Sequence, residues 1–119
     1  MPRTHKDLDV WKKSINFVTS IYKTTKMFPK EELYGLTSQI RRASVSIPSN
    51  IAEGAVRKGR REFEQFLYIS LSSAAEVDTQ LIISKNLGFI DEQEFSVLTS
   101  ELDSISKMIQ GLIKSLDKK

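Results

Sequence analysis

The sequence is poor in the residues on which many enzymatic and metal sites depend. Its 119 residues include no cysteine and a single histidine, His5, in a polar N-terminal segment. Without cysteine there is no disulfide and no thiolate metal site. One histidine so placed argues against a histidine base, a Ser-His-Asp triad and a multi-histidine metal centre. The five glycines form no phosphate-binding loop. We therefore predict a protein that is not an enzyme and holds no metal or cofactor.

Long apolar runs are absent as well. No stretch approaches the roughly 18 residues that a membrane span needs. The polar N-terminal segment is not followed by the apolar region of a signal peptide. The sequence thus predicts a cytoplasmic protein with no membrane partner.

The composition that is present is typical of a folded domain. Hydrophobic residues make up 39% of the chain and charged residues 28%, which is a globular and not a disordered composition. A chain of this length buries one core but does not divide convincingly in two. We predict a single domain over residues 1–119.

Apolar residues recur with the period of a helix, and no segment shows the alternation of a strand. The pattern predicts an all-α fold with helices at about 7–28, 31–56, 60–86 and 91–117. Because the connections are short, these helices are expected to form an up-down-up-down antiparallel four-helix bundle. Pro48 lies inside the second helix, yet the apolar phase continues from Ile47 to Ile51. We therefore expect helix two to be kinked at Pro48 and not divided.

Charge is divided unevenly along the chain. Residues 1–61 hold 13 Lys or Arg against 5 Asp or Glu, whereas residues 62–119 hold 5 against 10. A basic half suggests a polyanionic partner or an acidic neighbouring surface. Alternatively, the two halves neutralise each other across the bundle.

Basic residues concentrate at two places in the leading half. One is the second helix and the other is its junction with the third. Arginine matches the geometry of phosphate, and clustered cations repel each other unless anions are near. These residues are predicted to contact nucleic acid, although such a turn is also compatible with ordinary solvation. They are Arg41, Arg42, Arg57, Lys58, Arg60 and Arg61.

Two carboxylates of the third helix, Glu76 and Asp78, are candidates for a catalytic pair. The helical phase places Asp78 beside the apolar positions of Leu67 and Ala74, where an unpaired charge is costly. Asp78 is expected to be a structural carboxylate that bonds to Arg41, to Arg42 or to a hydroxyl group. A carboxylate-based hydrolase is the less favoured alternative.

The helices carry more apolar surface than one four-helix core needs. The first helix is apolar over about half its circumference, and the second has a secondary apolar stripe. Such excess predicts self-association. The residues predicted at an oligomer interface are Val10, Phe17, Ile21, Tyr34, Val45 and Val56.

Several motifs together resemble a known family. They are SQIRRAS at 38–44, IPSNIAEG at 47–54, LDVW at 8–11, EFEQFL at 62–67 and LGFI at 87–90. The chain resembles the bacterial four-helix bundle proteins encoded in intervening sequences of ribosomal RNA, which are relatives of the accessory variability determinant of diversity-generating retroelements. The resemblance implies a homopentameric ring without enzymatic activity and with a basic surface suited to nucleic acid. Arg41 and Arg42 match its basic pair, whereas the Arg57 to Arg61 cluster is assigned from charge alone.

These observations predict a non-enzymatic homo-oligomer, a pentamer by resemblance, that binds nucleic acid through phosphate contacts. RNA is preferred to DNA as the partner. The alternative is a protein-protein adaptor that docks an acidic partner such as a reverse transcriptase.

Overall fold

The computed structural model describes residues 4–118, which form four long helices. They are α1 (Asp9–Thr25), α2 (Leu36–Ala55), α3 (Arg60–Asn86) and α4 (Glu92–Asp117), with short 3₁₀ helices at His5–Asp7 and Lys30–Glu32. No strand occurs in this part of the chain. The predicted all-α, four-helix fold is confirmed. No helix among residues 4–118 has the length and apolar character needed to cross a membrane.

The second helix begins later than the sequence predicted. The prediction was a start near residue 31, but α2 starts at Leu36. The preceding turn is a 3₁₀ helix, and the side-chain carboxylate of Glu32 accepts a 3.0 Å hydrogen bond from the main-chain N–H of Leu36. This bond satisfies one of the N–H groups that a helix start leaves without a partner. The acidic side chain thus acts as a cap outside the helix.

The connection between α3 and α4 follows the turn signals in the sequence. Gly88 has a φ of 79°, which only glycine adopts readily, and the N–H of Phe89 donates to the carbonyl of Ser84. At the start of α4, the carboxylate of Asp91 accepts a 2.7 Å hydrogen bond from the main-chain N–H of Glu94. Local residues therefore set both ends of this turn.

Each helix packs against two neighbours, in the order α1–α2–α3–α4 and back to α1. Helices α2 and α3 are antiparallel. A Cβ on Gly54, near the end of α2, would touch Phe63 and Phe66 near the start of α3. Ser46, earlier in α2, is hydrogen-bonded to Ser73, later in α3. Helix α2 is continuous through its proline. The complete up-down-up-down order and the kink at Pro48 stay predictions, as does the single-domain boundary.

The core runs along the axis of the bundle and draws on all four helices. Burying each large apolar side chain contributes roughly 1.5–3 kcal/mol. The fully buried residues include Phe17, Ile21, Ile40, Ile47, Ile51, Leu67, Leu81, Ile105 and Ile109.

The prediction of the oligomer interface needs a correction in α1. Val10, Phe17 and Ile21 are buried in the core of the single chain and are not on its surface. The stripe that includes Ile15 and Tyr22 is the more exposed face. With half the helix circumference apolar, the sequence did not determine which stripe faces inward. Tyr34, Val45 and Val56, the other predicted interface residues, are exposed.

Candidate nucleic-acid interface

The turn between α2 and α3 carries four basic residues within five positions. Arg57 and Lys58 lie in the turn, and Arg60 and Arg61 open α3. Gly59, which precedes the helix, provides no side-chain cap. All four basic residues are exposed. The structure therefore presents this predicted cluster at one end of the bundle.

Two of the four basic side chains are engaged within the protein. The guanidinium group of Arg57 lies 3.3 Å from a carboxylate oxygen of Glu53 and 5.0 Å from the ring centre of Phe66. The guanidinium group of Arg60 donates a 3.4 Å hydrogen bond to the carbonyl of Leu116, at the end of α4. A helix end of this kind carries partial negative charge and attracts a cation. These two arginines are partly satisfied before any ligand arrives.

Lys58 and Arg61 remain available. Within residues 4–118 neither side chain takes part in a hydrogen bond, an ion pair or a contact with an aromatic ring. Both side chains are exposed. The positive charge that the turn offers to a ligand is therefore concentrated on these two residues.

A carboxyl pair lies one helical turn beyond this cluster. The pKa of Glu64 is raised above its ordinary value of 4.5, first by a hydrogen bond with the side chain of Asp117, then by partial burial and by the charge of Asp117. Arg60 and Arg61 lower the pKa of Glu64, but by less. The arginines therefore do not return the pKa of Glu64 to its ordinary value.

Arg41 is held between α1 and α2. Its Nε donates a 2.8 Å hydrogen bond to the hydroxyl of Thr25, which is buried, and its terminal nitrogen lies 3.4 Å from the carbonyl of Tyr22. The guanidinium carbon is 4.6 Å from the centre of the Tyr22 ring. These contacts hold α1 and α2 together, so Arg41 has a structural role in addition to carrying a positive charge.

The expected bond between Asp78 and an arginine is wrong. Asp78 is exposed, and neither Arg41 nor Arg42 contacts it. The inner face of α3 instead follows a stripe of apolar and small polar residues in which Gln80 is the large polar member. The amide of Gln80 donates a 3.3 Å hydrogen bond to the carboxylate of Glu76. The helical phase predicted from the sequence was slightly wrong, and it placed Asp78 on the inner face of α3.

Arg42 lies apart from the basic turn. It lines a groove between α2 and α3 and takes part in no ion pair within residues 4–118. Arg42 and Arg57 are fifteen positions apart, a separation of roughly 22 Å at the rise of an α-helix. The predicted contact residues therefore form two sites and not one continuous patch.

Two buried polar residues, one on α2 and one on α3, were not predicted. Thr37 and Gln80 are both buried, and the hydroxyl oxygen of Thr37 and the carbonyl oxygen of Gln80 have no hydrogen-bond partner. Nothing in the apolar periodicity indicates these positions, because they depend on how the two helices are aligned. Among residues 4–118 no group of three or more histidine or acidic side chains is placed to hold a metal ion.

The fold and this surface define a small helical bundle protein with exposed basic side chains. The chain belongs to the 23S rRNA-intervening sequence protein family, whose model matches residues 6–111. The resemblance of its motifs to that family is confirmed.

A solved structure shares this architecture. It is the 1.70 Å crystal structure of a protein of unknown function from the S23 ribosomal protein family of Bacteroides thetaiotaomicron. The TM-score is 0.82 at 25% sequence identity, over 88% of this chain and 98% of that chain. No curated protein matches the sequence.

Proposed function

We propose that this protein is a non-enzymatic, homopentameric RNA-binding bundle that holds phosphate groups with exposed cations. The observation that carries the proposal is the pair Lys58 and Arg61, which are exposed near each other and form no ion pair within residues 4–118. Phosphate contacts of this kind supply most of the affinity in sequence-independent binding. RNA is the favoured polyanion because the family carries the name of a ribosomal RNA segment.

The distribution of charge over the four helices supports the same proposal. The basic residues 1–61 supply α1 and α2, which are neighbours, whereas the acidic residues 62–119 supply most of α3 and α4. One side of the bundle is therefore basic and the other acidic. A polyanion is attracted to the α1 and α2 side and to the turn that follows it.

Two apolar surfaces on opposite halves of the bundle support self-association. A groove of about 350 Å³ between α1 and α2 is lined mainly by apolar side chains, including Ile15 and Val45. The outer face of α3 exposes Tyr68, Ile69 and Ile82. One of these surfaces lies in the basic half and the other in the acidic half. Contact between two such unlike surfaces of successive copies forms a ring when the rotation from each copy to the next adds up to a full turn. Five copies would bring five basic turns to one RNA and raise its affinity through avidity.

The experiment compares the double variant Lys58→Ala/Arg61→Ala with Lys23→Ala/Lys26→Ala. Both remove two positive charges, but the second pair lies at the end of α1, away from the basic turn. Fluorescence anisotropy with a labelled single-stranded RNA is measured at several salt concentrations. We expect the first variant to bind more weakly, with a salt slope shallower by about 0.7 for each phosphate group that it no longer binds. The control should lose less affinity than the first variant, because its two lysines lie on the basic side of the bundle but outside the turn.

Equal decreases in affinity in the two variants would contradict a role for the basic turn. Absence of RNA binding by the unaltered protein would reject the proposed function, and affinity for an acidic protein in its place would favour the adaptor alternative. Light scattering tests the assembly: a monomer mass at micromolar concentration contradicts the pentamer. Val45→Glu and Ile69→Glu, one on each apolar surface, should each lower the mass.

A further inference from the structure

The groove between α2 and α3 is a polar surface that the basic turn does not use. It has a volume of about 410 Å³, and its Arg42 lies roughly 22 Å along the bundle from Arg57. Polar side chains predominate in its lining, unlike the apolar groove between α1 and α2. The residues that line this α2–α3 groove are Tyr34, Ser38, Gln39, Arg42, Ala43, Ser46, Ser73 and Glu76.

Opposite charges lie on the two walls of the α2–α3 groove. Arg42 projects from α2, is exposed and takes part in no ion pair within the described residues. Glu76 lies on α3, and the amide of Gln80, only 5% exposed, holds its oxygen Oε2 at 3.3 Å. The other carboxylate oxygen has no hydrogen-bond partner in residues 4–118. The groove thus offers an unpaired cation and a fixed, partly unsatisfied acceptor.

The floor of the groove holds an unpaired hydroxyl hydrogen. Ser73, 8% exposed, and Ser46 share a 2.8 Å hydrogen bond, and the amide of Asn50 donates to the oxygen of Ser46. Two serines have two hydroxyl hydrogens, and their mutual bond uses one. No acceptor within residues 4–118 takes the other. The spare hydrogen is that of Ser46, which is half-buried, and it favours a ligand that brings an acceptor.

An aromatic side chain lies at the rim of the groove. Tyr34 is 92% exposed, just before α2 begins at Leu36. Tyr34 and Arg42 both line this groove. An exposed aromatic ring and an unpaired cation in one groove suit a ligand with a base stacked at one end and a phosphate bound at the other.

We propose that the α2–α3 groove binds one ribonucleotide unit. Arg42 binds the phosphate, Tyr34 stacks on the base, and Glu76 and the serine pair bond to the hydroxyl groups of the ribose. This inference deepens the proposed RNA binding and rests on it for its biological meaning. Binding at the groove is nevertheless measurable without the basic turn.

The chemistry of the walls favours ribose over deoxyribose. A carboxylate accepts a hydrogen bond from a hydroxyl, and the 2′-hydroxyl is the group by which a protein distinguishes RNA from DNA. The same carboxylate repels a phosphate, so the anion is confined to the Arg42 wall. Glu76 thereby sets the identity of the sugar, and Gln80 is the positioning residue that fixes the carboxylate.

The test uses nuclear magnetic resonance titrations of the full chain with adenosine 5′-monophosphate and its 2′-deoxy form. Amide shifts are expected around Ser38, Ser46 and Ser73, with about tenfold tighter binding of the ribonucleotide, as one hydrogen bond to a charged group provides. Glu76→Ala should abolish this preference, whereas Asp78→Ala, a carboxylate two positions away and outside the groove, should keep it. Arg42→Ala should weaken both ligands, and Lys12→Ala, which removes the same charge, should weaken neither.

Several results would overturn the proposal. They are the absence of shifts at the groove, equal affinity for the two nucleotides in the unaltered protein, and an unchanged preference in Glu76→Ala. The variant Lys58→Ala/Arg61→Ala distinguishes binding at the groove from binding at the basic turn. It should retain its affinity for nucleotides, whereas its affinity for long RNA should fall. If long RNA binds through the basic turn but nucleotides do not shift the groove, the groove proposal fails and the proposed function stands.

Discussion

The hydroxyl of Ser70 on α3 donates a 2.8 Å hydrogen bond to the main-chain carbonyl of Ile47, the residue before Pro48 in α2. Both residues are fully buried. A proline within a helix removes one main-chain hydrogen bond and disturbs the preceding turn. The serine thus ties α3 to the turn of α2 that is least well held by its own hydrogen bonds.

We expect Ser70→Ala to lower the free energy of unfolding by about 0.5–1.5 kcal/mol, the net contribution of one intramolecular hydrogen bond, because the buried carbonyl of Ile47 loses its donor from α3. Urea unfolding followed by circular dichroism measures the change. Ser72→Ala is the control, since the Ser72 hydroxyl is exposed and bonds within its own helix. Equal destabilisation by the two substitutions would show that the bond to Ile47 contributes nothing specific.

A second prediction concerns Gly54, where α2 and α3 approach closely. A Cβ at this position would lie 2.7 Å from Cβ of Phe66 and 2.9 Å from a ring atom of Phe63. Gly54→Ala should therefore destabilise the protein by about 1–3 kcal/mol, the usual cost of overpacking. Thermal unfolding measures this effect.

Gly111 provides the matched control, because it also lies in a helix but has no atom within 4 Å of an added Cβ. Gly111→Ala should raise the stability by about 0.5–1 kcal/mol through helix propensity. Stabilisation by both substitutions would mean that α2 and α3 are not in contact at Gly54.

A third prediction follows from the carboxyl pair at the ends of α3 and α4. Because the pKa of Glu64 is raised in the folded protein, folding favours its protonated form. The stabilising contribution is present below the ordinary pKa of 4.5 and is lost as the pH rises through the folded pKa. Glu64→Gln should therefore raise the melting temperature at neutral pH and have little effect in acid, below that ordinary pKa.

Asp117→Asn should also raise the melting temperature at neutral pH, since it removes the carboxyl group whose hydrogen bond and charge raise the pKa of Glu64. The double variant should add little to either single one, because residues in contact are not independent. Additive gains at neutral pH would show that the two carboxyl groups do not interact.

A fourth prediction ranks the basic residues of the α2–α3 turn. Arg57 and Arg60 already have partners in Glu53 and in the carbonyl of Leu116. Single alanine substitutions at Lys58 and Arg61 should therefore weaken RNA binding more than those at Arg57 and Arg60. Anisotropy at one fixed salt concentration establishes the ranking, and four equal effects would contradict it.

The sequence predicted the helices well because their cause is local. The spacing of apolar residues, Gly88 and the Asp91 cap act within a few positions of one another. The start of α2 was missed because a side chain outside the helix, that of Glu32, forms its cap.

The surfaces were predicted less well because they depend on helix alignment. The basic residues from Arg57 to Arg61 are neighbours in the sequence, so their clustering could be predicted without a structure. Arg41, in contrast, is hydrogen-bonded to Thr25 on another helix. The contact between Ser46 and Ser73 joins residues 27 positions apart. No periodicity within one helix indicates such a pair, and the groove above it appears only when α2 and α3 are packed together.

The basic helices α1 and α2 are neighbours, and so are the acidic helices α3 and α4. This arrangement gives a single chain an electric dipole moment across its short axis. In the field of a nearby polyanion such a molecule experiences a torque before it makes any contact. Rotation turns the positive side forward, so an encounter begins in a productive orientation more often than chance allows. Added salt shortens the range of that torque, since the Debye length falls to about 10 Å at 0.1 M.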